Sequence, residues 1–411
     1  MIRSLFQRCL PLFTNRGFRV LLLLNVLLGM AYSFVGPFMS MFGTDAVRGA
    51  GMTPLHFGIF MTVTALGGVV IGTVLAHYSD SHFSRRRMLL LGSLAGVVGY
   101  ACYAFLRDYY ALLAVGTLVL GISSISFSQL FAHAREAIHH SGIPAREIPF
   151  YTNAFRMFFA LSWTVGPAIA SWVMVVFSYR GLFLCSAGCF LALMVAVWFT
   201  VPEAPPPGAK TARGESMFVV LGRGDVLAHF VGFVLVFASG TIGMMNLPLL
   251  VMKTLGGHES DIGIIYIIGP IFELPFMLYV GVLATRHSQT LIIRWGVAIL
   301  LVYYTLLCLV QAPWHVYPLQ ALAAAATAVT AGVAITYFQG YLPDHPGSAT
   351  NLYSNAMRIG GLVGYLLFGS IAESFGYRVV FMACAGFILV GFLLLQVPVR
   401  VPAPRRVVSP A

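Results

Sequence analysis

Glu273 is the residue whose surroundings leave it fewest uses. It stands in Phe272-Glu273-Leu274-Pro275, in the middle of the apolar run from Asp261 to Ala284. The other acids lie at the ends of apolar runs or between them. An ionised carboxylate buried that far from water is costly, so the group must hold a proton or sit beside a cation. Two readings are open. It is a neutral acid hydrogen-bonded to a neighbouring helix, or a group that takes up and releases a proton in the course of function. Pro275 and the preceding Gly269-Pro270 remove backbone hydrogen bonds and predict a bent helix lining a cavity.

Two cations are placed to act with it. Arg156 and Arg358 each lie roughly 8 residues inside an apolar run, or about 12 Å at the helical rise. Glu273 lies roughly 12 residues from the opposite end of its own run, the same depth in a hydrocarbon layer about 30 Å thick. A buried arginine keeps its proton and needs a carboxylate or a ligand, unless its long side chain reaches back to the surface. Burial favours the neutral form of a carboxyl and a nearby cation favours the ionised form. Glu273, Arg156 and Arg358 together therefore read as proton-coupling chemistry. Asn153 and Asn355 precede the arginines by three residues and share their helix faces, as ligand contacts or as packing amides.

The elements that must carry these groups follow from composition. The chain has 411 residues, 59% hydrophobic and 9% charged, with a mean hydropathy of +0.88. A soluble domain carries about 25% charged residues. The chain reads as an all-α integral membrane protein with no large water-soluble domain. Apolar runs lie near 18–42, 54–79, 87–106, 110–133, 148–177, 180–201, 226–251, 260–284, 289–311, 315–341, 349–373 and 377–399. These are twelve, each about as long as a membrane-spanning helix needs.

The net charge of +11 would suit a nucleic-acid partner, but its placement gives another origin. With the N-terminus inside, 17 of the 24 Lys and Arg fall on the inner side and five on the outer side. Arg156 and Arg358 lie within spans. This is the positive-inside bias of a membrane protein, with both termini cytoplasmic. The first apolar run is too long for a cleaved signal and reads as a retained helix. None of the six cysteines falls in an outer loop, so no disulfide framework is implied. Cys185 and Cys189, at i, i+4 without a nearby histidine, read as packing. His133, His139 and His140 lack metal-site spacing, so no metal, no cofactor and no enzyme is expected.

The chain repeats itself. Thr152-Asn153-Ala154-Phe155-Arg156 matches Ser354-Asn355-Ala356-Met357-Arg358 at an offset of 202. Tyr179-Arg180-Gly181-Leu182-Phe183 matches Tyr377-Arg378-Val379-Val380-Phe381 at 198, and Phe57-Gly58-Ile59 matches Ile262-Gly263-Ile264 at 205. Three matches in order imply two parallel six-helix halves, as in many secondary transporters. The Pro-rich segment from Pro202 to Gly208 and the basic stretch to Arg223 read as the linker. The expected domains are 1–201, a linker at 202–225, 226–399, and a cytoplasmic tail at 400–411.

After the second span comes Asp80-Ser81-His82-Phe83-Ser84-Arg85-Arg86-Arg87. An acid at an inner helix end followed five residues later by clustered arginines is the core of the loop signature of the major facilitator superfamily. Asp80, Arg85 and Arg86 match it; Ala76, Ser81 and Phe83 depart from it. With twelve spans, two repeats and a central linker, the whole chain resembles that superfamily. A finer resemblance is to its bacterial sugar efflux transporters. It is carried by Phe127-Ser128-Gln129-Leu130-Phe131-Ala132, by Arg156-Met157 through Leu161-Ser162-Trp163 to Gly166-Pro167, and by Glu273-Leu274-Pro275.

The resemblance implies a major facilitator fold and alternating access. It implies that the fifth and eighth helices pack together, where Arg156 and Glu273 would meet, and that Asp80, Arg85 and Arg86 form a gating loop. It implies that the small-residue stripes Gly68-Gly72-Ala76 and Gly360-Gly361-Gly364-Gly369 face each other across the halves. It also implies export of a small sugar or glycoside against protons, by a monomer in the bacterial inner membrane. The alternative is a drug exporter on the same fold. A sugar site needs amides, hydroxyls and an aromatic face. The mid-span candidates are Asn25, Tyr32, Gln129, Trp163, Asn246, Tyr266 and Gln339, with Asn153 and Asn355. Each is equally readable as interhelical packing.

Overall fold

A backbone that crosses lipid must pair every N–H and C=O within itself, and a helix does so residue by residue. The structure, a computed structural model, describes residues 15–140, 148–203, 221–284, 286–341 and 346–398. Most of the expected linker, the tail from 399 onward and the side chains of Asp80, Asn153 and Arg156 lie outside the described residues.

The helices, in chain order, are α1 (Arg16–Val35), α2 (Met39–Thr44), α3 (Pro54–His82), α4 (Arg85–Phe105), α5 (Tyr109–Ala114), α6 (Leu120–Ser123), α7 (Ile125–His140) and α8 (Ile148–Thr200). Then come α9 (Gly224–Leu249), α10 (Glu259–Leu283), α11 (Gln289–Leu309), α12 (Val316–Gly332), α13 (Ala334–Tyr341) and α14 (Pro346–Leu394). Their starts carry side chains that accept from otherwise unpaired first-turn N–H groups. Thr53 caps α3, Ser84 caps α4, Asp108 caps α5 and Ser288 caps α11. One-turn π segments, Val115–Val119 and Leu250–Thr254, continue α5 and α9.

Ten stretches among the described residues are long and apolar enough to cross a membrane. Two of them, Met157–Thr200 and Thr350–Leu394, have 44 and 45 residues. At the helical rise each would run about 66 Å, twice what a bilayer core takes. Each is broken once, at Ser178 (φ 57°, ψ −164°) and at Gly376 (φ 79°, ψ 168°). Counted as two apiece, they bring the spans to twelve, in the order and at the places of the twelve apolar runs.

The breaks also carry the repeat. Ser178 and Gly376 are separated by the same 198 residues as the Tyr179 and Tyr377 match. The other positive-φ residues among those described are Gly51 (65°) and Gly256 (69°). They share the 205-residue offset of the Phe57 and Ile262 match. Backbone conformation thus repeats where the sequence does, each time at the turn into a new helix.

The chain divides into two compact units, one of Met1–Lys210 with Leu247–Pro270, the other of Thr211–Asn246 with Ile271–Ala411. In the first, α1 and α4 pack on α8. Gly29 and Gly166 let α1 and α8 close up: a Cβ at either would fall within 2.6 Å of a serine oxygen on the facing helix, Ser162 or Ser33. The core is aromatic, with the Phe42 and Phe183 rings 4.7 Å apart and Tyr100 stacked on Phe190 at 5.6 Å. In the second unit α11 packs on α12 and α14, and Phe233 meets Phe338 at 5.0 Å. Helices α9 and α10 each run from one unit into the other. The crossing in α9 lies two residues before Pro248, and that in α10 falls at Pro270.

Candidate functional site

Glu273 lies in the second unit, roughly 14 residues along α10 or about 21 Å from its start. Helix α10 runs unbroken through Pro270 and Pro275. Pro275 cannot donate to the Ile271 carbonyl one turn earlier, so the helix is weakened beside the acid rather than ended there. Glu273 is half-buried, next to the stacked rings of Phe272 and Phe276 at 6.2 Å. Among the described residues no cation and no hydrogen-bond donor pairs with it. Arg358 is exposed on α14 of the same unit, likewise without an ion pair among the described residues. Arg156 lies outside the described side chains.

The loop arginines are engaged with acids. The Arg85 guanidinium grips Glu136 at 2.8 Å and 2.9 Å and donates to the Gln129 amide oxygen at 3.0 Å. Gln129 and Glu136 are seven residues apart, on one face of α7, so a single guanidinium from the start of α4 reaches both. Arg86 lies 5.1 Å over the Trp198 ring, donates to the Trp198 carbonyl at 2.7 Å and pairs with Glu203 at 3.5 Å. Arg87 pairs with Glu203 at 2.8 Å, and the Ser84 hydroxyl donates to the same carboxylate at 2.7 Å. The Ser84 donation and the two arginines hold the Glu203 carboxyl below its ordinary value against a small desolvation penalty. Gln129 thus serves the charge network at this end.

The opposite end of the first unit holds a second network that the sequence reading did not single out. Asp45 follows α2 and accepts from the backbone N–H groups of Val47 and Arg48, both at 3.0 Å. The Arg48 side chain turns back onto Asp45 at 3.2 Å and reaches Glu259, the first residue of α10, at 3.0 Å. Tyr179, one residue past the break in α8, is buried, donates to Asp45 at 3.2 Å and presents its ring 5.7 Å from the Arg48 guanidinium. Ser171 on α8 donates to the Glu259 carbonyl at 2.8 Å. Burial alone would raise the Asp45 carboxyl, but the two N–H donors and Arg48 outweigh it and hold it below its ordinary value.

The polar candidates separate into kinds. Asn25 is buried and donates to the Phe155 carbonyl on α8 at 2.5 Å. Asn246 is buried and donates to the Tyr377 carbonyl at 2.8 Å, and Gln339 donates to Thr350 at 3.2 Å. These amides tie neighbouring segments of one unit together. Each of the two asparagines keeps a buried side-chain oxygen without a partner. Tyr32 is half-buried, edge-on to Phe190 at 5.7 Å. Trp163, Tyr266 and Asn355 are half-buried, and Asn153 lies outside the described side chains. Two glycines of the stripe on α14 serve packing within the second unit. A Cβ at Gly360 would lie 2.7 Å from the Val234 carbonyl, and one at Gly364 2.8 Å from that of Ala238. Both seat α14 on α9 of the same unit. Among the described residues no group of His, Cys, Asp and Glu has the arrangement of a metal site.

A family model described as Major Facilitator Superfamily matches residues 21–231 and again 229–410. Sugar efflux transporter A of Dickeya chrysanthemi is 31% identical over 383 residues, covering 93% of this chain and 93% of its own. Sugar efflux transporter B of Salmonella typhimurium is 30% identical over 360 residues, 88% and 90% of the two chains. Among solved structures, the nucleoside transporter NupG superposes with a TM-score of 0.75 at 14% identity, covering 92% of this chain and 98% of its own. That likeness is one of fold: two parallel six-helix repeats.

Proposed function

This chain belongs to the major facilitator superfamily, a family of multi-pass membrane transporters and not of enzymes, and we propose that it exports small sugars or glycosides in exchange for protons. The observation that carries the substrate class is the likeness to sugar efflux transporters along almost the whole chain. Proton coupling rests on Glu273, an acid deep in a span with no partner among the described residues. In this reading Glu273 takes a proton when its cavity opens outside and releases it inside, with sugar bound in the alternate step. Arg156 and Arg358 supply the positive charge that favours release. Trp163, Tyr32, Tyr266, Asn153 and Asn355 are the candidates to meet sugar. The protein works as a monomer in the bacterial inner membrane, with both termini in the cytoplasm and the linker at 202–225 joining two halves that alternate in access.

The test uses vesicles with the purified chain and an imposed proton gradient, following exchange of a labelled galactoside and of a cationic dye. Sugar flux is expected to collapse with the gradient and in Glu273→Gln. That variant should still exchange sugar for sugar without a gradient, because loading and reorientation remain. Gradient-driven flux at the parent rate in Glu273→Gln would overturn the role of Glu273. Dye flux without sugar flux would overturn the substrate class.

A further inference from the structure

The network around Arg48 joins parts of the chain that have different freedom. Asp45 and Tyr179 belong to the body of the first unit. Glu259 lies in Leu247–Pro270, which packs with that unit although it is carried by α9 and α10, both of which continue into the other. Both crossings fall beside a proline, Pro248 and Pro270, where a helix lacks one hydrogen bond and bends most easily. The seat itself is small. Glu259 offers its carboxylate to Arg48 and its carbonyl to Ser171. One turn on, Gly263 lies against Ser171, where a Cβ would come within 2.7 Å of the serine Cβ.

Arg48 is pre-positioned to hold this seat. Its backbone N–H and its guanidinium both bind Asp45, and the Tyr179 ring supports it from the side. Without Glu259 the guanidinium keeps these partners, so release strands no charge. The guanidinium is 45% exposed, so the pair can exchange for water without a large barrier.

We propose that the first two turns of α10 form a releasable latch on the first unit, fastened by the Arg48–Glu259 pair and opened once per transport cycle on the outer side. The proposal rests on the transport reading above and deepens it by naming the contact that holds the outer side shut. The latch closes around Ser171, which is 6% exposed under Glu259 and Gly263.

The experiment places Ser171→Cys in a chain whose six native cysteines are replaced. It measures labelling by a membrane-impermeant maleimide added outside intact cells. Slow labelling is expected with the latch intact. Glu259→Lys, which sets like charges together, should speed labelling at least tenfold, and Glu259→Gln should give a smaller rise. Asp108→Asn is the control, because Asp108 caps α5 through the Ala111 N–H and lies outside the seat of α10; it should leave the rate unchanged. Detergent-purified variants must elute as the parent does, so that exposure by misfolding is not counted. Equal rates in the parent and in both Glu259 variants would overturn the latch. External sugar should also change the rate in the parent. A latch that answers to Glu259 but not to sugar would stand while the sugar reading fell.

Discussion

Ser178 and Gly376 occupy equivalent places in the two repeats and nearly the same backbone conformation, yet only one of them is glycine. At φ 57°, ψ −164° a side chain costs about 1–3 kcal/mol. Ser178→Gly removes that strain. Against it stands the freedom glycine gives the unfolded chain, about 0.5–1 kcal/mol. Ser178 makes no hydrogen bond among the described residues, so little else is lost. The balance is a gain of about 1 kcal/mol for Ser178→Gly. The reverse exchange is cleaner still. A Cβ at Gly376 meets nothing within 4 Å, so the backbone alone decides, and Gly376→Ser should cost about 1–2 kcal/mol. Unfolding of a protein like this is irreversible, so the assay is the half-life of the folded form in detergent at a fixed high temperature. One kcal/mol expressed in the unfolding rate is a factor of about 5. Ser178→Gly should outlive the parent and Gly376→Ser should decay faster. A Gly376→Ser chain as durable as the parent, or a short-lived Ser178→Gly, would refute the assignment of strain to these two turns.

Two further predictions concern packing and charge. Gly360→Ala should shorten the same half-life, because its Cβ would press on the Val234 carbonyl at 2.7 Å and backbone there cannot yield, at about 1–3 kcal/mol. Gly386→Ala, with open space around it, should lengthen the half-life slightly or leave it alone. The Asp45 carboxyl is held below its ordinary value, so its bonds stabilise the fold above about pH 3.9 and fade as pH falls through the depressed native value. Asp45→Asn should therefore be less stable than the parent near neutrality, with the gap closing below about pH 3.9; a gap that widened in acid would contradict the sign.

Much of this was legible in the chain because lipid leaves so few choices. Apolar runs of this length read as spans, and the structure has a helical span at the place of each. The matches at 198 and 205 residues mark turns with the same unusual backbone in each repeat. The polar side chains were harder. An amide in mid-span has the same composition whether it meets a ligand or a carbonyl of the next helix. Asn25, Asn246 and Gln339 meet partners in their own unit, on residues 130, 131 and 11 positions away. Gln129 offered one usable clue, its i, i+7 relation to Glu136, which puts both on one face of α7, the face that Arg85 of the preceding span reaches. The glycine stripe on α14 shows the same limit: small residues serve close approach of any helix, and the sequence does not say that α9 is the one that approaches Gly360 and Gly364.

The ends of the helices were least legible, since a charge there satisfies topology whether or not it has a partner. Arg48 counts toward the positive-inside tally in the same way as Arg107, yet the two do different things. Arg107 caps its own helix, donating to the carbonyls of Tyr103, Ala104 and Leu106. Arg48 reaches 211 residues along the chain to Glu259. The two ends of the first unit differ in the same sense. Arg85, Arg86 and Arg87 bind acids at the ends of α7 and α8, elements that belong wholly to that unit. Such pairs tie one compact unit together. Glu259 begins a helix that continues past Pro270 to Glu273. A pair that holds the start of α10 therefore acts on the element that carries the half-buried acid, about 14 residues and 21 Å further on. If Glu273 couples protons as proposed, loss of the Arg48–Glu259 pair should impair transport as well as stability, because the pair restrains the helix that carries that acid.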